Sequence, residues 1–235
     1  MMRSEIPRPS AAFLHALLLL LSPCLGAEER SCEVSVAALG LPADSSGLVH
    51  WRGRKDATMP LQLSARYFSQ RVKLRGGTIQ FFDEPVSNDL DQASMPEPLV
   101  SMNIPAGAKL AYIVLWPETE ADRPARWQGR LLNAKDWKAG SMKVFNACSE
   151  PLGIAAGRKR IQLSTGKSVD FHAREWDEPF PVKIFRLQPE LKTVFSSTWR
   201  VSDERRELCF IGPTNGSVTL RSLIALGEPP PPDTP

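Results

Sequence analysis

Histidine is scarce in this sequence, and so are the motifs that histidine-dependent enzymes carry. Only three histidines occur in 235 residues. His15 lies in an apolar leader, so a catalytic zinc site would need both His50 and His172 together with carboxylates, and neither belongs to an H-E-x-x-H pattern. The serine-hydrolase elbow G-x-S-x-G and an Asp-rich calcium loop are also absent from the sequence. We therefore expect no metal and no other cofactor.

A complete phosphate-binding loop is absent as well. Gly166-Lys167-Ser168 matches the last three letters of the pattern G-x-x-x-x-G-K-[ST], but Ile161 stands where the pattern requires its first glycine. The following residues alternate between apolar and polar as in a strand, whereas a phosphate-binding loop leads into a helix. We interpret the segment as a hairpin turn in which Gly166 supplies a positive φ.

Apolar runs long enough to cross a membrane are missing too. The run from Ala11 to Leu21 has 11 residues, whereas a bilayer requires roughly 20. Arg3 and Arg8 precede this run and small residues follow it, which is typical of an export signal cleaved after Ala27. We expect a soluble protein that is exported to the periplasm or the extracellular space.

The end of the leader contains Leu21-Ser22-Pro23-Cys24, which resembles a bacterial lipobox. Pro23 occupies the position where that motif has Gly or Ala. We therefore do not expect a lipid anchor, and no transmembrane segment is expected after cleavage.

Neither sign of charge is in large excess. The chain has 29 Lys and Arg residues against 26 Asp and Glu residues, a formal net charge of +3, so nucleic acid is not an expected partner. The cluster Arg158-Lys159-Arg160 is a local exception that could contact a phosphate or an acidic surface. The alternative interpretation, which we favour, is a solvated turn, because short charge runs between strands usually are.

Three cysteines remain after the leader is removed: Cys32, Cys148 and Cys209. In an oxidising compartment two of them could form a disulfide and leave one free thiol. Cys148 and Cys209 lie in or beside strand-like segments, so we predict that pair, although Cys32 with either remains open. A nucleophile and base pair of Cys148 with His172 has no local signature, and a disulfide half or a buried thiol is the favoured interpretation.

Helical periodicity is nearly absent from the mature chain, and short alternating runs between Gly, Pro, Asn and Asp recur throughout it. This pattern predicts an all-β fold. The predicted strands cover 32–39, 61–68, 71–74, 78–82, 109–116, 141–146, 152–156, 160–163, 168–172, 182–187, 192–201, 207–211 and 217–226.

The charged, proline-flanked segment 117–126 predicts a boundary between two units. We expect two successive immunoglobulin-like or jelly-roll-like β-sandwich units, with the following division: signal peptide 1–27, first unit 28–120, second unit 121–227 and a disordered Pro-rich tail 228–235. A faint internal echo fits this division: Trp51–Arg54 recurs as Trp127–Arg130, and 72–82 resembles 161–171. The two offsets disagree, so chance similarity remains an alternative.

All six tryptophans lie in the mature chain. Trp116 ends an apolar strand and is predicted to be core. Trp127, Trp137 and Trp176 lie beside Gly, Lys, Asp or Glu in predicted loops, where an exposed ring could stack on a sugar or anchor a protein. These three, with Arg158, Lys159 and Arg160, are the candidate binding residues, and we predict no catalytic residue.

The segment REWDEPF places Glu175, Asp177 and Glu178 around Trp176, an arrangement that a glycan enzyme could use. The alternative, which we favour, is a loop whose tryptophan packs down while its charges stay in water.

Residues 140–173 resemble exported bacterial β-sandwich proteins of unknown function. In these a strand ending in Asn is followed by a short strand, a Gly turn, a strand, a second Gly turn and another strand. The segment from Met59 to Pro85 is similar. The periplasmic pilus chaperones, two immunoglobulin-like domains behind a signal peptide, offer a comparison of architecture only.

From these observations we expect an exported protein of the cell envelope or extracellular space that binds a protein or glycan partner rather than acting as an enzyme. One alternative is a carbohydrate-active enzyme or carbohydrate-binding module with a groove lined by Trp176, Glu175 and Glu178. Another is a passive structural component with an exposed apolar edge strand that accepts a partner's strand.

Overall fold

The structure, a computed structural model, describes residues 31–39, 47–53, 58–75, 77–87, 95–117, 127–187, 189–214 and 217–226. The predicted export signal, the lipobox cysteine and the proline-rich tail lie outside these residues. Within them no helix is long and apolar enough to cross a membrane.

The described residues form β-strands joined by turns, and no helix occurs among them. The strands are β1 Ser31–Ala38, β2 Leu48–Arg52, β3 Met59–Gln62, β4 Val72–Arg75, β5 Thr78–Phe82, β6 Val100–Asn103, β7 Leu110–Pro117, β8 Trp127–Asn133, β9 Ser141–Asn146, β10 Leu152–Ala156, β11 Lys159–Leu163, β12 Ser168–His172, β13 Phe180–Arg186, β14 Lys192–Trp199, β15 Arg205–Thr214 and β16 Ser217–Leu226.

These strands assemble into four sheets of four strands. The first unit, β1 to β8, consists of an outer sheet with the order β3-β2-β5-β6 and an inner sheet with the order β4-β1-β7-β8. The second unit, β9 to β16, consists of an inner sheet β12-β9-β15-β16 and an outer sheet β11-β10-β13-β14. The predicted all-β fold of two sandwich units is confirmed.

The two units have the same topology, because adding eight to each strand number of the first unit yields the strand order of the second. Each inner sheet contains one parallel pair, β1 with β7 and β9 with β15. The echo in the sequence does not follow this repeat. It aligns β4 and β5 with β11 and β12, whereas their topological counterparts are β12 and β13.

Each unit has its own core between its two sheets, and a third apolar cluster lies between the two inner sheets. We call this third one the shared cluster. Its buried residues are Ala37, Leu39, Leu110, Tyr112, Val114, Leu132 and Trp137 of the first unit and Phe145, Leu208, Phe210, Leu223 and Ala225 of the second. The inner sheets are therefore covered on both faces.

Burial on both faces explains the nearly continuous apolar sequence of β7. Ala111 and Ile113 point into the core of the first unit, whereas Leu110 and Tyr112 point into the shared cluster. Successive strand residues face opposite sides of a sheet, so a strand buried on both sides has no position for a polar residue.

The chain passes from the first unit to the second after β8, later than the predicted boundary near residue 120. β8 pairs with β7 along its length, from Ala111 opposite Asn133 to Pro117 opposite Trp127. The sequence does not predict β8, partly because it contains Gly129. A Cβ there would lie 2.7 Å from the sulfur of Met102 on β6, so any other residue would require the Met102 side chain to move.

The turn at Gly166 has the predicted positive φ, 69°, but it is not a hairpin turn. β11 before it pairs with β10 in the outer sheet, whereas β12 after it pairs with β9 in the inner sheet. The turn is held against the end of β9, since the Gly166 amide donates to the Asn146 carbonyl at 2.8 Å. Thr165 to Lys167 therefore carries the chain between the two sheets of the second unit.

Candidate functional site

Two separately predicted binding elements meet at one end of the second unit. Arg158 lies in the turn between β10 and β11, Lys159 and Arg160 begin β11, and the turn after β12 carries Glu175 and Trp176. The Lys159 ammonium lies 3.1 Å from the Glu175 carboxylate and 5.2 Å from the centre of the Trp176 ring. We call these five residues the basic end.

Trp176 supports this turn rather than standing free. Its ring centre lies 4.0 Å from that of Phe180 and 5.6 Å from that of Phe171, at the edge of the second core. Gly157 passes so close that a Cβ there would lie 3.2 Å from the indole ring. The tryptophan is half-buried, and its contacts fix the position of the basic turn.

Arg158 and Arg160 are exposed, and no carboxylate of the described residues pairs with either. The Nη1 group of Arg160 donates hydrogen bonds to the carbonyls of Gly157 and Lys159, both at 3.0 Å. These bonds hold the Arg160 guanidinium in one place while its remaining N–H groups stay available for an external acceptor.

The other two candidate tryptophans do not join this site. Trp137, a predicted binding residue, is 1% exposed in the shared cluster, where its ring lies 5.3 Å from that of Tyr112. It cannot reach a partner because the turn between β8 and β9 tucks it between the inner sheets. Trp127 begins β8 in the first unit and is half-buried against the first core.

The predicted disulfide between Cys148 and Cys209 is not formed; all three described thiols are free and buried. The Cys148 sulfur lies 3.9 Å from the Ile211 carbonyl. Ile211 is two residues beyond Cys209 on β15, a separation of about 7 Å along a strand. Cys148 is therefore held beside the wrong residue for a bridge. Cys32 lies in the core of the other unit.

Burial also makes these thiols poor nucleophiles. It raises the pKa of Cys148 to about 11, and it raises the pKa values of Cys32 and Cys209 as well. His172 pairs with Ser141 at the start of β9, whereas Cys148 follows the end of that strand. The two side chains are separated by on the order of 20 Å along the strand, so they cannot act together as nucleophile and base.

The carboxylates around Trp176 do not converge on a pocket. Asp177 and Glu178 are exposed, and Glu175 is paired with Lys159. Among the described residues, no group of three or more His, Cys, Asp or Glu side chains is arranged to hold a metal ion.

An apolar groove lies beside the basic end, on the outward face of the second outer sheet. This open groove has a volume of about 520 Å³, and its lining residues are Gly153, Ile154, Arg160, Ile161, Gln162, Phe185, Leu187 and Leu191. Leu191 at its rim is 71% exposed. Arg160 belongs to both the groove and the basic end, so the two form one continuous surface.

The sequence analysis does not find this groove, because its residues come from three strands and the connection after β13. The sequence does contain a partial signal. Gly153 and Ala155 occupy the outward positions of β10, and these small residues leave a depression in the middle of that face. No protein-family model matches this sequence, and no curated protein matches it either. The surface itself is therefore the basis for assigning a function.

Proposed function

We propose that this chain is an exported, non-enzymatic binding protein that holds a protein partner on its second unit. The observation that carries the proposal is the continuity of the apolar groove with the basic end through Arg160. Protein interfaces combine an apolar centre with a polar and charged rim. Here the groove supplies the centre, and Arg158 and Arg160 supply the rim, which favours a partner with an acidic patch.

A protein partner is better supported than a glycan. Sugar stacking needs a bare aromatic face, but the Trp176 ring contacts Phe180 on the core side and carries Lys159 above it. The groove itself is mainly aliphatic. This arrangement is suited to apolar side chains of a partner.

Binding by a side-chain surface is also better supported than strand addition. The edge strand β14 begins at Lys192, and its pairing with β13 shifts register between Ile184 and Phe185. The edge strand β3 contains Pro60. Lysines, prolines and irregular pairing at sheet edges hinder the addition of a further strand.

The proposal is tested by quantitative capture from a cell-envelope extract with the chain from Glu28 onward. Wild type is compared with the double variant Arg158→Glu and Arg160→Glu and with a matched control, Lys135→Glu and Lys138→Glu, which changes two exposed cations of the turn after β8. We expect a protein that wild type and control retain equally and that the basic-end variant releases. Retention should also weaken with added salt, since exposed charges are screened.

Equal retention by all three proteins would contradict the proposal. Specific retention of glycan instead of protein would favour the carbohydrate-binding alternative. Far-UV circular dichroism of each variant establishes that a loss of retention does not come from unfolding.

A further inference from the structure

The apolar groove has the size and the lining of a small-ligand site. Its volume of about 520 Å³ falls within the range of about 300–1,000 Å³ that such sites occupy. Leu187 covers Gly153 at the bottom of the groove: a Cβ on Gly153 would lie 2.9 Å from a methyl group of Leu187 and 3.7 Å from the Cβ of Phe185. The floor of the groove is therefore apolar side chain, and a ligand would lie on Leu187 and Phe185.

Two cations flank Ala155, the next outward residue of β10 after Gly153. Ala155 on β10 pairs with Arg160 on β11 and with Lys183 on β13, and Arg160 and Lys183 are both exposed on the outward face. The two outer strands are about 10 Å apart, and the small side chain of Ala155 lies between them. This leaves room above Ala155 for an anionic group that both cations can reach.

The charges of the groove point to an anion and not to a cation. None of its lining residues carries a carboxylate, and Arg160 is the charged residue among them. The bonds from Arg160 Nη1 to two carbonyls restrain the guanidinium, so binding an anion costs little additional side-chain entropy. Gln162, opposite Gly153 in the pairing of β10 with β11, supplies a further amide donor along the same side.

We propose that the groove binds a free amphipathic carboxylate, an acyl chain with one anionic head. The carboxylate lies above Ala155 between Arg160 and Lys183, and the chain lies on Phe185 and Leu187 and ends near Leu191. The inference goes beyond the proposed function, because it assigns a small ligand to the groove that the protein partner would also contact, so the two would compete for it.

The test is isothermal titration of the chain from Glu28 onward with decanoate below its micelle concentration. Decanol is the uncharged match, and decyltrimethylammonium is the cationic match. We expect saturable one-to-one binding of decanoate, about tenfold tighter than that of decanol, since a hydrogen bond to a charged group contributes at least a factor of ten. The ammonium compound should not compete.

Three variants separate the two parts of the site. Arg160→Gln should weaken decanoate about tenfold and leave decanol unchanged. Gly153→Val pushes the Leu187 side chain up into the groove and should abolish binding of both. Leu191→Asp places an anion at the rim and should also weaken decanoate, and it should fold normally because Leu191 is 71% exposed. Arg66→Gln, at an exposed arginine of the first unit, is the matched control and should change nothing.

The inference is overturned if folded wild type gives no saturable decanoate binding, or if decanol binds as tightly and Arg160→Gln has no effect. Binding that survives both Gly153→Val and Leu191→Asp would place the ligand elsewhere and would also overturn it. Retention on anionic phospholipid vesicles without binding of free decanoate would point to a membrane surface and would refute a free ligand. The capture experiment is read separately, so failure of one proposal does not decide the other.

Discussion

The two outer sheets have the same strand order but present different outward faces. In the first unit Phe82 points outward from β5 and is nevertheless only 2% exposed. The Arg52 guanidinium lies 5.6 Å from the centre of the Phe82 ring and also donates to Gln80 at 3.1 Å. Val86, which follows the strand, is buried as well.

In the second unit Phe185 points outward from β13 beside Gly153 and remains half-exposed.

This difference shows that the strand order and the inward-facing residues are enough to form a sandwich unit, whereas the residues on the outward face can vary. Nothing in the pairing of β2, β5 and β6 requires Phe82 to be covered, and nothing in the pairing of β10, β11 and β13 requires a groove. Function belongs to the site and not to the fold. The second outer sheet is therefore the better place to look for a ligand.

The shared cluster joins the two units, and a variant that disrupts it tests how much this contact contributes to the free energy of unfolding. Trp137→Ala removes a side chain that is 1% exposed between the inner sheets, and we expect a loss of about 3–5 kcal/mol in the free energy of unfolding. Trp127→Ala, at a half-buried tryptophan of the first unit, should cost clearly less. Urea unfolding followed by circular dichroism measures both. A larger loss for Trp127→Ala would mean that the shared cluster contributes little.

The outward phenylalanines allow the comparison to be measured directly. Phe82→Ala should cost about 3–4 kcal/mol because a covered ring leaves a cavity, whereas Phe185→Ala should cost about 1–2 kcal/mol because its ring is already partly in water. Chemical denaturation of the two variants under identical conditions gives the difference. Equal losses would show that the groove is as tightly packed as the covered face of the first unit.

The thiols distinguish the two units at alkaline pH, since the second core contains two of them and the first core one. Cys148 keeps its proton up to about pH 11 when folded, but its ordinary pKa is 9.0. Between these values the unfolded chain loses a proton that the folded chain retains, so stability falls as pH rises, by at most about 1.4 kcal/mol per pH unit for this group. Below about pH 9.0 the thiol is protonated in both the folded and the unfolded chain, so its titration does not change stability there.

The measurement is the free energy of unfolding of wild type and Cys148→Ala at several values between pH 8 and pH 11. The variant starts lower because it leaves a cavity, but its curve should fall less steeply. Parallel curves would show that the Cys148 thiol ionises as easily in the folded chain as in the unfolded one.

The smallest effect is expected at the basic end. Lys159 and Glu175 are both more than half exposed, so Glu175→Gln should lower stability by less than about 1 kcal/mol. Thermal unfolding at low and high salt measures it, and the difference from wild type should shrink with salt. A loss as large as that of Phe185→Ala would mean that the basic turn is part of the fold and that charge changes there do not report on binding alone.

Much of the fold can be predicted from local pattern. The bounds of β5, β9, β10, β12 and β16 agree with the predicted strands, because each has regular alternation between clear turn residues. β2, β6 and β8 are not predicted. β6 is short. β8 contains Gly129, which lies close to the Met102 side chain of β6, a contact that the sequence of β8 does not show.

The candidate site is only partly predictable. The basic turn and Trp176 are named from their composition, but their contact through Lys159 depends on two connections that meet at one end of the unit. The groove depends on three strands and the residues that follow β13. Sequence spacing contains no information on such contacts, since residues far apart in the chain create them.

The sequence by itself determined the fold class, because alternation with a period of two residues is a local property that each strand carries alone. The nearly continuous apolar run of β7 is likewise read from the sequence, but the burial of both its faces is shown only by the packing of the sheets. Only the tertiary structure decided that Trp137 lies between the inner sheets and that Cys148 lies beside Ile211 instead of Cys209. The same is true of the groove beside Arg160. Each of these depends on which sheets pack together and in which register, and register is set by the sum of many distant contacts.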